Sequence, residues 1–206
     1  PDGYFDVAIG NVPFGDYRVN DSVYNSHGFL IHDYFFAKTL DKLRAGGVAA
    51  YITTKGTMDK ESTKVREFLF KKAELLGAIR LPNTAFKNAG TKVTADILFL
   101  QKREKEIENP EWIAVTEDAQ GFRINSYFVQ HPEMILGTMQ EISGPYGMET
   151  TCVEKEGVPL GERLRAAISH ITGHIPERVE EERAEFRYGE EQQALSLIHI
   201  SEPTRH

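Results

Sequence analysis

The chain has 206 residues, 40% of them hydrophobic and 10% aromatic, which is enough apolar material for a buried core in one or two domains, and its net charge is −7. No apolar run reaches the ~18 residues of a membrane span and no basic-then-apolar leader opens the chain, so the expectation is a soluble, cytoplasmic protein. The single cysteine, Cys152, excludes an internal disulfide and a thiolate metal cluster, and is read as a small apolar filler in a reducing compartment.

The first element is "YFDVAIG", Tyr4 to Gly10, a β-rich apolar run bounded by turn residues, as in a strand buried on both faces of a parallel sheet. "NVPFGDYRVNDSVYNSHG" follows without any period and reads as a long loop. In "FLIHDYFFAKTLDKLRAGG" the residues Phe29, Phe36, Leu40 and Leu43 recur at helical spacing, with Gly46 and Gly47 as the stop. "VAAYITT" is a second buried strand. "KGTMDKESTKVREFLFKKA" then gives an amphipathic helix through Val65, Phe68, Leu69 and Lys72, with Asp59 and Ser62 as capping candidates. "ELLGAIRLP" is a strand stopped by Pro82, "NTAFKNAGTK" a second loop, and "VTADILFLQKR" a last strand ending in charges at the sheet edge. Strands alternating with helices predict an α/β domain with a mostly parallel sheet whose last strand is a candidate for antiparallel pairing.

From about Glu104 the texture changes. "EKEIENPEW" marks a boundary, "WIAVTE" and "FRINSYFV" are short β-like pieces, "TTCVEKEGVPL" reads as strand and turn, and "LGERLRAAISHI" carries Leu160, Leu164, Ala167, Ile168 and Ile171 at helical spacing. The Glu-rich stretch after Pro176 has too few apolar residues to hold a core. Charge divides the same way: residues 1–105 hold 16 Lys and Arg against 12 Asp and Glu, whereas 106–206 hold 8 against 19. The first part is able to face a polyanion; the acidic second part reads as a solvated face. "LSLIHISEPTR", Leu195 to Arg205, breaks from the preceding pattern and resembles the translation of a transposon-type sequencing adapter. The expected organisation is therefore a catalytic domain over 1–105, an acidic extension or linker over 106–194, and an adapter-derived artefact over 195–206. With Pro1 just ahead of a strand, the N-terminus is expected to be cut as well.

Chemistry concentrates at Asn11 to Gly15, since open α/β sheets bind ligands beyond the carboxyl ends of their strands. The exocyclic amine of adenine is a poor nucleophile because its lone pair is delocalised into the ring. A side-chain amide oxygen from Asn11 and a backbone carbonyl near Val12 or Pro13 are placed to accept its two hydrogens and aim the lone pair at an electrophilic methyl. Pro13 fixes φ, Phe14 offers a stacking face for a flipped-out base, and Gly15 lets the chain turn without crowding it.

"GNVPFG" at a strand end resembles the (Asn/Asp)-Pro-Pro-(Phe/Tyr) motif of S-adenosylmethionine-dependent amino-methyltransferases, above all DNA adenine-N6 methyltransferases. "GGVAAYITT" resembles the next core strand of that family, and "LPNTAFKNAGTKVTADILFLQK" the later segment of type I-like modification subunits, in which an aromatic residue, here Phe86, helps hold the target base. The resemblance spans residues 4–103 and extends to the methylase portion of helicase-linked methylases on mobile elements. It implies the C-terminal half of a Rossmann-like class I methyltransferase sheet followed by a small α+β or irregular extension. It further implies S-adenosylmethionine as cofactor, double-stranded DNA as partner, a helicase domain in the same parent chain, and direct methyl transfer to adenine N6. Asn11, Pro13 and Phe14 are the implied catalytic residues, and Val12, Gly15 and Phe86 the implied substrate contacts. Val12 stands where the motif has its first proline. The Gly-rich cofactor loop and the acidic ribose partner, which precede the motif in the family, do not occur ahead of it, so the cofactor contacts are expected upstream and this piece alone is expected to be inactive.

Other readings stay open. Related motifs serve methylation of RNA bases and of glutamine side chains, and a methyltransferase-like module without catalysis would keep the same shape. His27 and His32 read as polar surface groups rather than metal ligands. Thr53, Thr54 and Lys55 are candidates to line the pocket or cap the next loop, Phe86 to anchor its loop in the core, and Arg18, Lys87 and Lys92 to meet phosphates.

Overall fold

A computed structural model describes residues 2–144 and 147–177. In chain order they form β1 (Phe5–Asn11), α1 (Ile31–Lys42), β2 (Leu43–Thr54), α2 (Gly56–Asp59), α3 (Lys64–Lys72), β3 (Ala73–Leu81), β4 (Ala95–Lys102), β5 (Val115–Glu117), β6 (Arg123–Asn125), α4 (Ser126–Gln130), β7 (Gly137–Gly144), β8 (Gly147–Glu154) and α5 (Leu160–Ile168). Pro1–Ile175 gather into one compact unit; of the second, Pro176–His206, only Pro176 and Glu177 are described, so the adapter-like segment lies outside the described residues.

The expected order of strand, helix, strand, helix, strand, strand is present, and the sheet order is β1-β2-β4-β3. β1 runs parallel to β2, while β4 is antiparallel to both β2 and β3. The chain therefore passes from β2 over α3 to β3, then returns to fill the gap between them. The last strand is the antiparallel one, but it lies inside the sheet and not at its edge. Its apolar run is continuous because it has paired neighbours on both sides and both its faces meet protein: Leu98, Leu100 and Asp96 are fully buried, with Ile97 and Phe99 half-buried opposite.

β1 is the edge strand. Phe5 and Val7 are each 46% exposed and Ile9 is 79% exposed, which overturns the expectation of a strand buried on both faces. β2 likewise alternates buried and half-buried residues, with Tyr51 packed on Phe36 and bonded to Thr39 of α1 while Ile52 is only half-buried. The apolar sequence runs measured hydrophobicity, whereas burial depends on which faces the described helices cover.

Two turn signals act differently from the expectation. α1 ends at Lys42 and hands directly to β2, so Gly46 and Gly47 lie within the strand. Gly47 is needed there because a Cβ would come within 2.9 Å of the Phe5 carbonyl of β1. α3 starts after Thr63, whose hydroxyl bonds to Glu67, not at Asp59 or Ser62. Asp59 instead pairs with Arg80 and accepts from the backbone N–H of Asn125. The segment after residue 104 supplies β5, β6 and α4, the β7–β8 hairpin with Cys152 fully buried, and α5, all within the first compact unit.

The deepest polar feature is a bidentate pair between β3 and β4: Arg80 Nε and Nη2 donate to the two carboxylate oxygens of Asp96, each at 2.9 Å, with both residues wholly buried. Arg80 Nη1 lies 2.8 Å from Asp59 of α2, and the guanidinium stacks on Phe128 of α4 at 4.3 Å. Burial alone would push the Arg80 pKa down; the carboxylates of Asp96 and Asp59 outweigh it and raise the pKa above its ordinary value. Asp96→Ala, which strands that charge, should lower stability by about 3–5 kcal/mol in urea unfolding, while the double change Arg80→Met with Asp96→Leu should cost clearly less. A loss under ~1 kcal/mol for Asp96→Ala would contradict the assignment.

Candidate functional site

All four strands of the main sheet bring a loop to the same edge. β1 ends there at Asn11, β2 at Thr54 and β3 at Leu81, and β4 begins there at Ala95; Asn11 pairs with Ile52, and both Thr54 and Leu81 pair with Ala95. The loops carrying Asn11–Gly15, Thr54–Gly56 and Pro82–Thr94 are thus neighbours along one rim.

At the first of these loops the chain separates structural from exposed groups residue by residue. Val12 turns its side chain into the core, where it is 3% exposed, and its N–H donates to the Ile52 carbonyl at 3.1 Å. Asn11 on one side of it is exposed, its amide without a hydrogen bond among the described residues, and on the other side Pro13 is half-buried and Phe14 is 40% exposed. At Gly15 a Cβ would stand 2.6 Å from the Tyr17 ring, so glycine lets that exposed ring lie over the turn.

The rest of this long loop is ordered by specific bonds. Ile31 N–H donates to the Tyr17 carbonyl at 2.9 Å, Lys38 meets Asp21 at 2.9 Å, and Tyr34 donates to Asp21 at 3.1 Å. Tyr24 is buried with its hydroxyl on Asp41, which together with burial raises its pKa. His27, Phe29 and Phe68 form a ring cluster with centroids 4.8–5.0 Å apart. Phe86, in the third loop, is half-buried and packs against the main core, with its carbonyl accepting from Ala89 at 2.9 Å. Arg18 and Lys87 are exposed.

A cavity of about 690 Å³ opens on the same rim, between the loops after β2 and before β4 and the β7–β8 hairpin. Thr54, Lys55 and Lys92 line it, but Thr53 does not: it is buried and bonds to Thr57 at 2.8 Å. The hairpin is fastened above it. Lys55 donates to the Thr150 carbonyl, Asn83 N–H to the Cys152 carbonyl at 2.7 Å, and Asn83 Nδ2 to Thr151 at 3.2 Å. Thr94 and Thr151 hydroxyls meet at 3.0 Å. Burial pushes the Lys55 pKa down and lifts the Cys152 thiol to about 12, so the cysteine is a core residue.

His32 corrects an expectation. It is buried, not on the surface, beside the equally buried Asp33, with 3.4 Å between imidazole and carboxylate and no hydrogen bond at either ring nitrogen. Desolvation pushes its pKa down, keeping it neutral, and pushes that of Asp33 up. Among the described residues no group of three His, Cys, Asp or Glu side chains is arranged to hold a metal. Among the cavity residues that sequence reasoning missed are Lys60, Asn83, Thr94, Arg123, Glu149, Thr150 and Thr151; all lie far along the chain from the Asn11–Gly15 motif, and no local spacing announces them.

The chain matches known proteins as follows. The model of the N-6 DNA Methylase family matches residues 2–140. Defense against restriction protein B of Escherichia phage P1 is 34% identical over 111 residues, covering 52% of this chain and 5% of that protein, so the chain spans a small part of this relative. Among solved structures, a protein of Listeria monocytogenes described as a class I S-adenosylmethionine-dependent methyltransferase is 23% identical with a TM-score of 0.41, over 54% of this chain and 36% of the other. The M protein of the type I restriction enzyme EcoKI is 22% identical with a TM-score of 0.38, over 48% of this chain and 21% of the other. These spatial likenesses are partial and assign no role to any residue.

The loop geometry generates a prediction at Val12. Restoring the familiar proline there removes the N–H that bonds Ile52, so Val12→Pro should lower stability by about 1–3 kcal/mol in urea unfolding. An unchanged or raised midpoint would show that this bond does not hold the loop.

Proposed function

We propose, from the premise that this chain belongs to the N-6 DNA methylase family, that its Asn11–Gly15 loop holds the exocyclic amine of a flipped adenine in duplex DNA for methylation at N6. The observation that carries this reading is the division within the loop: Val12 is buried and bonded to β2, while Asn11 and Phe14 on either side of it are exposed at the carboxyl end of β1.

In this reading Asn11 Oδ1 accepts one hydrogen of the amine, and the backbone carbonyl of Val12 or Pro13 accepts the other. The nitrogen lone pair is thereby turned out of conjugation toward the incoming carbon. Pro13 limits the carbonyl's orientation, and Phe14 replaces part of the stacking that the base loses on leaving the duplex. Phe86, half-buried against the core, bounds the base from another loop of the rim, and Tyr17 over Gly15 adds a second exposed ring to the turn. When bound, S-adenosylmethionine supplies the electrophilic methyl on a sulfonium. The cofactor contacts are assigned to a further segment, and the open apolar edge of β1 supports additional sheet on that side. Residues 1–105 are the catalytic part in this reading, and 106–194 an extension.

In a protein carrying this chain together with a strand and Gly-rich turn for the cofactor, labelled methyl should pass to adenine N6 in duplex DNA. Asn11→Ala should lower kcat at least 100-fold with a change of only a few-fold in the KM for DNA. Label on RNA or on a protein glutamine, or an undiminished rate in Asn11→Ala, would reject the reading.

A further inference from the structure

The cavity under the β7–β8 hairpin is a second feature of the rim, and the base-holding loop does not line it. Its charges are unevenly committed. Of the six ionic side chains that line it, Asp59 is taken by Arg80 at 2.8 Å, and Arg123 is taken by Glu61 through two bonds of 2.7 and 2.9 Å. That leaves Lys55, Lys60 and Lys92 facing Glu149, and none of the three lysines has a salt bridge among the described residues. Asp59 shares its arginine with Asp96 and is only partly offset, but the lining carries four cations against two carboxylates, so its net charge is positive.

Its neutral polar groups add donors. Thr54, Thr94, Thr150, Thr151 and Asn83 line the same space; Thr94 and Thr151 bond each other and Asn83 Nδ2 donates to Thr151, which leaves the Thr54 and Thr150 hydroxyls to donate. Lys55 is the central group: it is half-buried, its ammonium is fixed against a backbone carbonyl, and burial depresses its pKa, so an arriving anion would relieve an existing cost. A partly desolvated ammonium in a cavity that also holds hydroxyls matches a tetrahedral oxyanion with several acceptor atoms. The volume of about 690 Å³ is larger than one phosphate needs. Its place on the rim that carries Asn11 and Phe14 puts it where the strand flanking an extruded base would run.

We propose that this cavity is a phosphate-binding site for the DNA backbone, with Lys55 and Lys92 as its principal cationic contacts and the Thr54 and Thr150 hydroxyls as supporting donors. The proposal rests on DNA being the substrate. It concerns grip on the strand and not the chemistry at Asn11.

Binding of a duplex oligonucleotide to the 206-residue chain, read by fluorescence anisotropy over a range of salt, tests it without any methyl transfer. The Lys55→Gln, Lys92→Gln double variant should weaken duplex binding at least tenfold and reduce the slope of log affinity against log salt by about 1–2, the contribution of one or two phosphate contacts. The charge-preserving Lys55→Arg, Lys92→Arg variant should keep affinity within a few-fold, which separates lost charge from misfolding. Lys105→Gln, an exposed lysine outside the cavity, should leave both affinity and slope unchanged. Inorganic phosphate should compete weakly, at millimolar concentration, for the parent chain. Equal duplex affinity and salt slope in the double Gln variant and the parent would overturn the proposal. So would a cavity that takes inorganic phosphate while duplex binding is indifferent to both lysines. A chain that binds duplex through these lysines yet belongs to a protein that methylates nothing would uphold this inference and sink the catalytic one.

Discussion

The guanidinium of Arg80, buried between two carboxylates, is the constraint on which the arrangement of this protein depends. Its bidentate bond to Asp96 lies across the β3–β4 pairing, its third nitrogen reaches Asp59 of α2, and its flat face rests on Phe128 of α4. A charge taken wholly from water costs several kcal/mol unless it is matched, so these groups specify one another's positions. The consequence is positional: Asp59 follows the loop after β2, Asp96 begins β4, and Arg80 ends β3. One buried cation therefore aligns three of the segments that form the functional rim. It also offsets part of the charge of Asp59, which lines the adjoining cavity.

The other constraint is steric and local. At the end of β1 a single residue, Val12, faces inward and bonds to β2, and the residues before and after it are left exposed. Proline in that position would restrict φ but could not donate to Ile52. Valine reaches a defined backbone by a different route, with one hydrogen bond and one buried side chain in place of a ring. The difference from the family motif is thereby accounted for as a change in how the turn is held. Behind the turn, the Asp21, Tyr24 and Phe68 contacts order a loop whose composition alone would have allowed disorder.

Much of this was legible in the sequence. The element order, the helix through Phe36 and Leu40, the strand ended by Pro82, and the antiparallel option for the last strand all follow from periodicity and turn residues, and the Asn11–Gly15 loop was found from its place after a strand. The misreadings share a physical cause. An apolar run such as Phe5 to Ile9 does not reveal whether a neighbouring layer covers it, so it reads as buried on both faces where β1 is an exposed edge strand. Gly46 and Gly47 look like a helix stop, but the close approach of β1 to β2 is what requires glycine at 47. His32, next to Asp33 at a helix start, reads as a surface group although Leu30 and Ile31 precede it. The cavity was only half visible, through Thr54, Lys55 and Lys92, because its remaining walls come from β6 and the β7–β8 hairpin, far along the chain.

The central claim is that the loop after β1 meets the target base. A duplex carrying one photoreactive adenine analogue at the site of modification, crosslinked to a protein that contains this chain and mapped by mass spectrometry, addresses it directly. The account predicts attachment within Asn11–Tyr17, with Phe14 or Tyr17 as the main adduct. Attachment confined to other surfaces, with that loop untouched, would contradict it.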